Sequence, residues 1–568
     1  MSSSKLLRGT FILTGGVFLS RILGLIYVFP FYQLVGKQGG ALYSYGYVPY
    51  TLFISIATMG VPLAVSKFVS KYNALEEYAV GRKLFRSGIM LMAITGFLAW
   101  LILYMSAPLL APFVVNDDGH GNSIADVTSV IRAVSFALLL VPMMSLIRGF
   151  FQGHESMGPT ALSQVVEQLV RIVFLLAGSY IVLRIFDGSL VTAIQVATFA
   201  AFIGAVGGLA VLFMYWFKRK SFLDELLKQD RGTIHMSLTD MYKELIAYAA
   251  PFAFVGLAMP LYQLIDQFTF NKAMASIGLG AISEDAYGIF NVWAQKLVII
   301  PVTLATSFSL TLIPTITKAY VQGESKQLKK YLNDTFQVVM FITLPAVIGM
   351  ALLSEYVYAA FYSYDPLGTE VLRAYAPTAI FFALFSVTAA ILQGINKQKF
   401  TVISLTIGLL FKLFFNYILI VSFETMGAIL ATTIGYALSV ALNLWVIQRY
   451  TNYRYHFVAK RVLFMGILTT MMCAVVWPIV KLMDRFFHYN GSMIQSVIIV
   501  AAGGGIGAAV YFYLSERSNL LYALFGNRFS FLKKKKRKEG FVIAFFFLLE
   551  VAAEWESELA LNALETSV

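Results

Sequence analysis

The 568-residue chain has a single cysteine, Cys473, and it lies in an apolar stretch. That excludes a disulfide framework and a cysteine-based metal centre. Histidine is nearly as sparse: five residues are scattered along the chain, with His120 and His154 in loops and no ligand-like cluster. Charge is short as well. Asp, Glu, Lys and Arg make up 13% of residues against 59% hydrophobic ones, and the mean hydropathy is +0.75. A soluble chain carries about 25% charged residues. Motifs for nucleotide or hydrolytic chemistry are missing too, with no Walker sequence, no HExxH and no GxSxG. Work must then come from a gradient, the membrane potential or a downhill substrate. No cofactor and no metal is expected.

What the chain does have is apolar length. Fourteen segments are long enough to span a bilayer. They are 9–35, 45–66, 87–115, 124–147, 160–183, 190–217, 244–270, 286–317, 332–362, 371–394, 400–422, 426–448, 462–483 and 492–514. The first is too long for a signal-peptide core and reads as an uncleaved helix. Pro30, Pro62, Pro251, Pro301 and Pro314 interrupt several spans, as in transporter helices whose neighbours satisfy the freed backbone. The fold class is therefore an all-α polytopic membrane protein.

Basic residues alternate between loops. One set holds Lys67, Lys71, Arg82, Lys83 and Arg86, then Lys218, Arg219, Lys220, Lys228 and Arg231. It continues with Lys326, Lys329 and Lys330, then Lys397 and Lys399, then Arg449, Arg454, Lys460 and Arg461. The other set is short and poor in Lys and Arg, as at Asn116-Asp117-Asp118-Gly119-His120. The positive-inside rule makes the first set cytoplasmic, and an even helix count puts both termini there. Lys5, Arg8 and the run Lys533 to Lys538 agree. Most of the net +13 is then topology and attraction to anionic lipid, and no nucleic-acid partner is needed.

The chain also repeats itself. Ser145–Leu176 aligns with Ser386–Tyr417 at an offset of 241, matching Gln152-Gly153 to Gln393-Gly394, Thr160 to Thr401, Ser163 to Ser404 and Arg171 to Lys412. Ile56–Lys67 aligns with Phe308–Ala319 at an offset of 252, with Pro62 on Pro314. Repeats an even number of helices apart share one orientation. That implies two parallel six-helix lobes, with helices 13 and 14 appended. The expected division is 1–217 for the N-lobe, 218–243 for a cytoplasmic linker and 244–450 for the C-lobe. Residues 451–515 form the helix 13–14 appendix, and 516–568 form a cytoplasmic basic tail with an atypical extension.

Acid is rarest where the chain is most apolar. Only Glu167, Asp266 and Glu355 lie deep, against five cations: Arg21, Arg132, Arg171, Lys296 and Lys412. Each such charge costs roughly 2.5–3.5 kcal/mol at a helix centre, so each is a functional candidate by default. The surplus points to an anionic cargo. Arg21 is mid-span and reads as functional, against a packing arginine bonded to carbonyls. Lys296 divides between a cargo contact and an interface snorkel. Arg171 has Glu167 one turn earlier, and a neutralised pair is the plainer reading. Lys412 has Asn416 one turn later, and Asp266 is its expected carboxylate partner. Arg132 and Glu355 read as interfacial. The 31 tyrosines and 48 phenylalanines read as lipid-facing bulk and interfacial belt.

Several stretches resemble the oligosaccharidyl-lipid branch of the MATE-like (MOP) superfamily, specifically the MurJ-type lipid II flippases of Gram-positive bacteria. They are Ser20-Arg21-Ile22-Leu23-Gly24-Leu25, Gly60 to Lys67, Arg148 to Gly153, and Ala294-Gln295-Lys296-Leu297 followed by Pro301 and Leu312-Ile313-Pro314. The resemblance covers most of residues 5–515. It implies a central cavity where Arg21 and Lys296 hold the pyrophosphate of lipid II, and the flippase reading adds Arg171 to them. It also implies a groove toward helices 13 and 14 for the undecaprenyl tail. The partners implied are lipid II or a related undecaprenyl-pyrophosphate glycolipid, membrane lipids and the cell-wall synthesis machinery, at the bacterial plasma membrane. Two positions depart from relatives. Tyr27 stands where some carry a second arginine. Lys412 takes a ligand position of a sodium site that some relatives build between helices 7, 11 and 12, to which Asp266, Asn416 and Thr432 correspond. No sodium requirement is expected there.

Rival readings remain. A flippase for another lipid-linked glycan (teichoic acid, capsule or spore cortex) would need the same cations. A multidrug or cation antiporter would need a carboxylate-rich cavity, and a polyprenyl-phosphate glycosyltransferase a sizeable outer loop with catalytic carboxylates. After Lys538 the chain departs from the family: an apolar stretch, Phe541 to Ala553, is followed by an acidic end. It is compatible with an interfacial helix or a frameshifted end, and no function is assigned to it.

Overall fold

A computed structural model describes residues 15–525 apart from 17, 59–60, 116–120, 234–236, 238, 244–253, 311 and 487–491, and the side chains at 62–63 and 308–310. The Asp117-Asp118 loop, Pro251, both termini and the stretch after Lys538 lie outside the described residues. By packing, the chain divides into two units, Met1–Val292 and Trp293–Val568.

The first unit opens with α1 (Phe18–Ile26) and α2 (Val28–Thr58), bent by 45° to each other. Inside α2 the backbone leaves helical geometry at Gly36, where φ is +65°. Only glycine takes that conformation without strain, and the break falls where the first expected span ends. Then come α3 (Val61–Ala74), α4 (Tyr78–Leu110), α5 (Ile124–Ser135), α6 (Val141–Gly153), α7 (Met157–Tyr180) and α8 (Leu190–Lys228). The unit ends with α9 (Ala258–Ser276) and α10 (Gly280–Gly288). The second unit holds α11 (Gln295–Leu310), α12 (Ile313–Val321), α13 (Ser325–Leu352), α14 (Ser354–Phe361), α15 (Pro366–Tyr375) and α16 (Thr378–Gly394). It closes with α17 (Gln398–Thr451), α18 (His456–Asp484), α19 (Met493–Arg517) and α20 (Leu520–Phe525).

The protein is thus an all-helical polytopic membrane protein. Among the described residues ten helices are long and apolar enough to cross a membrane, or eleven with the bent α1–α2 pair. Three differences separate that number from fourteen. Expected spans 1 and 2 share the bent element. Expected spans 11 and 12 form one 54-residue helix, α17, broken at Glu424 (φ +54°). Expected span 7 begins at residues 244–253, outside the described set.

The helix breaks follow the sequence repeat. At the offset of 252, the first residue of α3, Val61, falls on the first residue of α12, Ile313. At 241, the 3-10 turn Phe136–Leu139 between α5 and α6 falls on the Pro377 break between α15 and α16. Glu155 (φ +55°) falls on Asn396 (φ +59°) at the same offset. Left-handed residues of this kind turn four helical hairpins on the Lys- and Arg-rich side. Glu76, Glu155, Gly323 and Asn396 each stand two residues before the next helix. On the other side helices start from side-chain caps. Ser123 and Asp126 form a reciprocal capping box on α5, while Ser189 caps α8, Asp365 caps α15 and Ser492 caps α19.

On the basic side the first unit packs Phe85 against Phe150 at 4.2 Å and against Trp216 at 4.8 Å between ring centroids. His154, just past the end of α6, packs at a tilt against Phe150 with ring centroids 4.4 Å apart, and its Nδ1 lies 3.0 Å from the Phe150 carbonyl oxygen. Burial pushes the His154 pKa down, with Arg82 and Arg219 adding to the effect, while the Phe150 carbonyl opposes it. The imidazole is therefore neutral when folded and gains a proton on unfolding. Its stabilisation is complete above its ordinary pKa of about 6.5 and is lost as pH falls below. Thermal unfolding between about pH 7.5 and about pH 5.5 should cost the wild type more in Tm than His154→Phe, which keeps the ring. Equal losses would remove His154 from the acid response.

Candidate functional site

Arg171 on α7 does not pair with Glu167. Its guanidinium donates to the hydroxyls of Tyr43 (3.1 Å) and Tyr47 (2.7 Å) and lies over the Tyr47 ring at 5.1 Å. These tyrosines belong to a ladder on α2: Phe31 meets Tyr43 edge-on at 5.4 Å, Tyr43 stacks on Tyr47 at 5.2 Å, and Tyr47 meets Tyr50 at 5.3 Å. Tyr27 joins through Phe31 at 6.3 Å, so the residue at the departed arginine position is part of the cage. Glu167 instead accepts a 2.7 Å ion pair from Arg148, whose Nε also donates to Ser163 Oγ at 2.8 Å. The tight α6–α7 turn lays Arg148 beside Glu167, and this nonlocal geometry wins over the i,i+4 spacing. The only deep carboxylate on α7 is thereby neutralised. Arg171 is left with neutral acceptors and spare N–H donors.

Arg21, on α1, is exposed, and among the described residues it has no hydrogen-bond or ion-pair partner. The packing reading, an arginine tied to carbonyls, is therefore not what the structure has. Lys296 is half-buried at the second residue of α11, directly after a π-helical stretch, Ile289–Ala294. It too has no carboxylate partner among the described residues. Such π insertions recur at functional sites. Arg132 donates from Nε to the Tyr104 carbonyl oxygen at 3.4 Å and lies over the Tyr104 ring at 4.9 Å. Glu355 stands in the first turn of α14, where the helix dipole favours a carboxylate.

Lys412, the repeat partner of Arg171, behaves differently. It is fully buried, and its ammonium donates to Thr432 Oγ1 across the Glu424 break of α17. Asn416 and Thr432 are buried with it, and Asp266 is buried on α9. The repeat-related serines diverge as well: Ser163 serves Arg148, whereas Ser404 Oγ donates to Asn443 Oδ1 at 2.6 Å.

At the charge-poor end of the first unit, α9 and α10 clasp the earlier helices. Glu284 accepts from the Asn122 backbone N–H (2.9 Å) and from its Nδ2 (2.6 Å). Asn271 Nδ2 donates to Tyr45 Oη (2.6 Å) and the Val114 carbonyl (2.8 Å), and Gln267 Nε2 donates to the Tyr45 carbonyl (3.0 Å). Tyr45 packs on Tyr287 at 5.0 Å. Gly288 lies so close to α2 that a Cβ would stand 2.4 Å from the Lys37 carbonyl oxygen. Sequence reasoning missed this clasp, and it missed Arg148 and the tyrosine cage. Four tyrosines between 43 and 50 were the available signal, but interfacial belts give the same pattern. Among the described residues no group of His, Cys, Asp and Glu could hold a metal.

A family described as polysaccharide biosynthesis protein matches residues 6–320, and the MatE family matches residues 251–418. The lipid II flippase MurJ of Bacillus subtilis (strain 168) is 49% identical over 543 residues, covering 95% of this chain and 100% of that one. Among solved structures, a lipid II flippase MurJ in an inward closed conformation superposes with a TM-score of 0.63 at 15% identity, over 90% of this chain and 98% of that one. An inward-facing multidrug resistance MATE family transporter of the MOP superfamily gives 0.58 at 15% identity, over 76% and 95%. The fold is MATE-like, and the relatives are transporters, not enzymes.

Proposed function

The chain belongs to the polysaccharide biosynthesis protein family, among the MurJ flippases, and from that premise we propose that it moves lipid II from the inner to the outer leaflet of the bacterial plasma membrane. The observation that carries this reading is the uncompensated positive charge. Arg21 and Lys296 have no acidic partner among the described residues, and Arg171 is held by neutral tyrosines while Arg148 consumes Glu167. A pyrophosphate is the complement of such a set, because arginine forks match its oxygens and each charge-assisted bond is strong.

In this reading Arg21, Lys296 and Arg171 neutralise the pyrophosphate while the undecaprenyl tail stays in lipid. Both termini lie in the cytoplasm, fourteen helices cross the membrane, and two six-helix lobes (1–217 and 244–450) alternate access. Helices 13 and 14 receive the tail. The clasp at Glu284, Asn122 and Gly288 closes the outer end of the first unit, which fits a state loading from inside. Inside-negative potential favours outward passage of the anionic cargo.

Depleting the protein in its host and measuring which undecaprenyl-linked precursor accumulates on the inner leaflet tests the assignment. Lipid II should accumulate; accumulation of a teichoic acid or capsule precursor alone would reassign the cargo. Because Lys412 already bonds Thr432, we also expect the rate in proteoliposomes to be unchanged when sodium is replaced by N-methylglucamine. A strict sodium requirement would overturn that part.

A further inference from the structure

We propose that a second anion site, on the basic side of the second unit, binds a phosphate group through Lys329 and Arg454. A cavity of 610 Å³ opens between α13, the end of α17 and the start of α18. That volume lies in the range that holds small ligands. Its wall carries two cations, Lys329 and Arg454, and three neutral amides, Asn333, Gln448 and Asn452. No carboxylate lines it. Neither cation is paired with an acid among the described residues. The adjacent acid, Asp334, interacts electrostatically with Lys330 and Arg461 instead.

The backbone builds this arrangement. Asn452 ends α17 in a left-handed conformation (φ +50°, ψ +35°), which sends Tyr453 inward and Arg454 outward. Tyr453 is 2% exposed, and its hydroxyl donates to Asn333 Oδ1 at 2.6 Å. The Asn333 amide therefore accepts on its floor side and keeps its NH2 donors for the cavity. Phe457 completes the wall, and Arg461 is held away from it, donating to Gln337 Oε1 at 2.6 Å. Trp445 (62% exposed), on α17 three residues before Gln448, and Phe457 (47%), in the wall, leave large rings exposed near these polar groups. Two cations, several N–H donors and no acid among the lining residues suit the phosphate of an anionic lipid headgroup or a free phosphate.

The test uses the purified full-length chain in detergent. Native mass spectrometry counts bound dioctanoyl phosphatidylglycerol and dioctanoyl phosphatidylcholine, with inorganic phosphate as competitor. The Lys329→Gln/Arg454→Gln double variant should bind phosphatidylglycerol about 30-fold more weakly than wild type, since each charge near an anionic surface is worth roughly a factor of five. Phosphatidylcholine binding should not change, and Lys330→Gln, one residue outside the cavity, should match wild type. Displacement by equimolar inorganic phosphate assigns the site to a free anion, and resistance to it assigns the site to the lipid headgroup. Equal phosphatidylglycerol binding by wild type and the double variant, or an equal loss in Lys330→Gln, overturns the proposal.

Discussion

Cells that depend on an Arg21→Ala copy should form no colonies, and lipid II should accumulate on their inner leaflet although the protein is present at normal level. Both halves follow from the setting of Arg21. The side chain is exposed and unpartnered among the described residues, so its removal opens no cavity and strands no buried group. On the proposed reading, what is lost is a forked cation for the cargo. Two charge-assisted hydrogen bonds at about 1.5–3 kcal/mol each amount to about 3–6 kcal/mol, or roughly 10²- to 10⁴-fold in cargo binding. Arg21→Lys should rescue in part, because lysine restores the charge without the planar fork. Colony counts after depletion of the wild-type copy give the measurement, with immunoblotting for protein level. Full complementation by Arg21→Ala would remove this residue from the site.

Gly288→Ala should weaken the clasp at the charge-poor end of the first unit. The added methyl would stand 2.4 Å from the Lys37 carbonyl oxygen and 3.1 Å from the Ala41 nitrogen, both backbone atoms of α2. Backbone cannot swing aside as a flexible side chain can, so α10 must lift. Overpacking of this kind costs about 1–3 kcal/mol, enough to shift a two-state balance roughly 5- to 150-fold. Ala41 is fully buried beneath the contact. A cysteine there, in a Cys473→Ser background, should resist an impermeant maleimide added outside when residue 288 is glycine. It should react when residue 288 is alanine. Equal protection in both would place the closure elsewhere.

Much of the fold was legible because a membrane leaves few options for the backbone, so apolar length and basic loops map onto helices and their connections. The repeat was legible through its polar matches, and the helix starts at Val61 and Ile313 and the left-handed turns at Glu155 and Asn396 fall at its offsets. Breaks such as Glu424 were legible only as a short gap between two apolar runs. The charges were harder. Glu167 and Arg171 have the right spacing to pair, yet the α6–α7 hairpin gives Glu167 a nonlocal arginine. Local spacing says which groups can meet, and packing decides which do. The tyrosine cage was hidden for a similar reason: a tyrosine facing lipid and one facing a guanidinium look alike in sequence.

Lys412 carries a consequence for supply. A dissolved ion occupies a pocket only as its concentration allows, and it can be diluted or exchanged. An ammonium tethered four methylenes from its own backbone is present at one copy per chain in every medium. The crossing between the two arms of α17 is therefore braced in brackish water and in salt-free broth alike. On the sodium-independent mechanism proposed above, a chain built this way gives up a point at which an ion gradient could drive it.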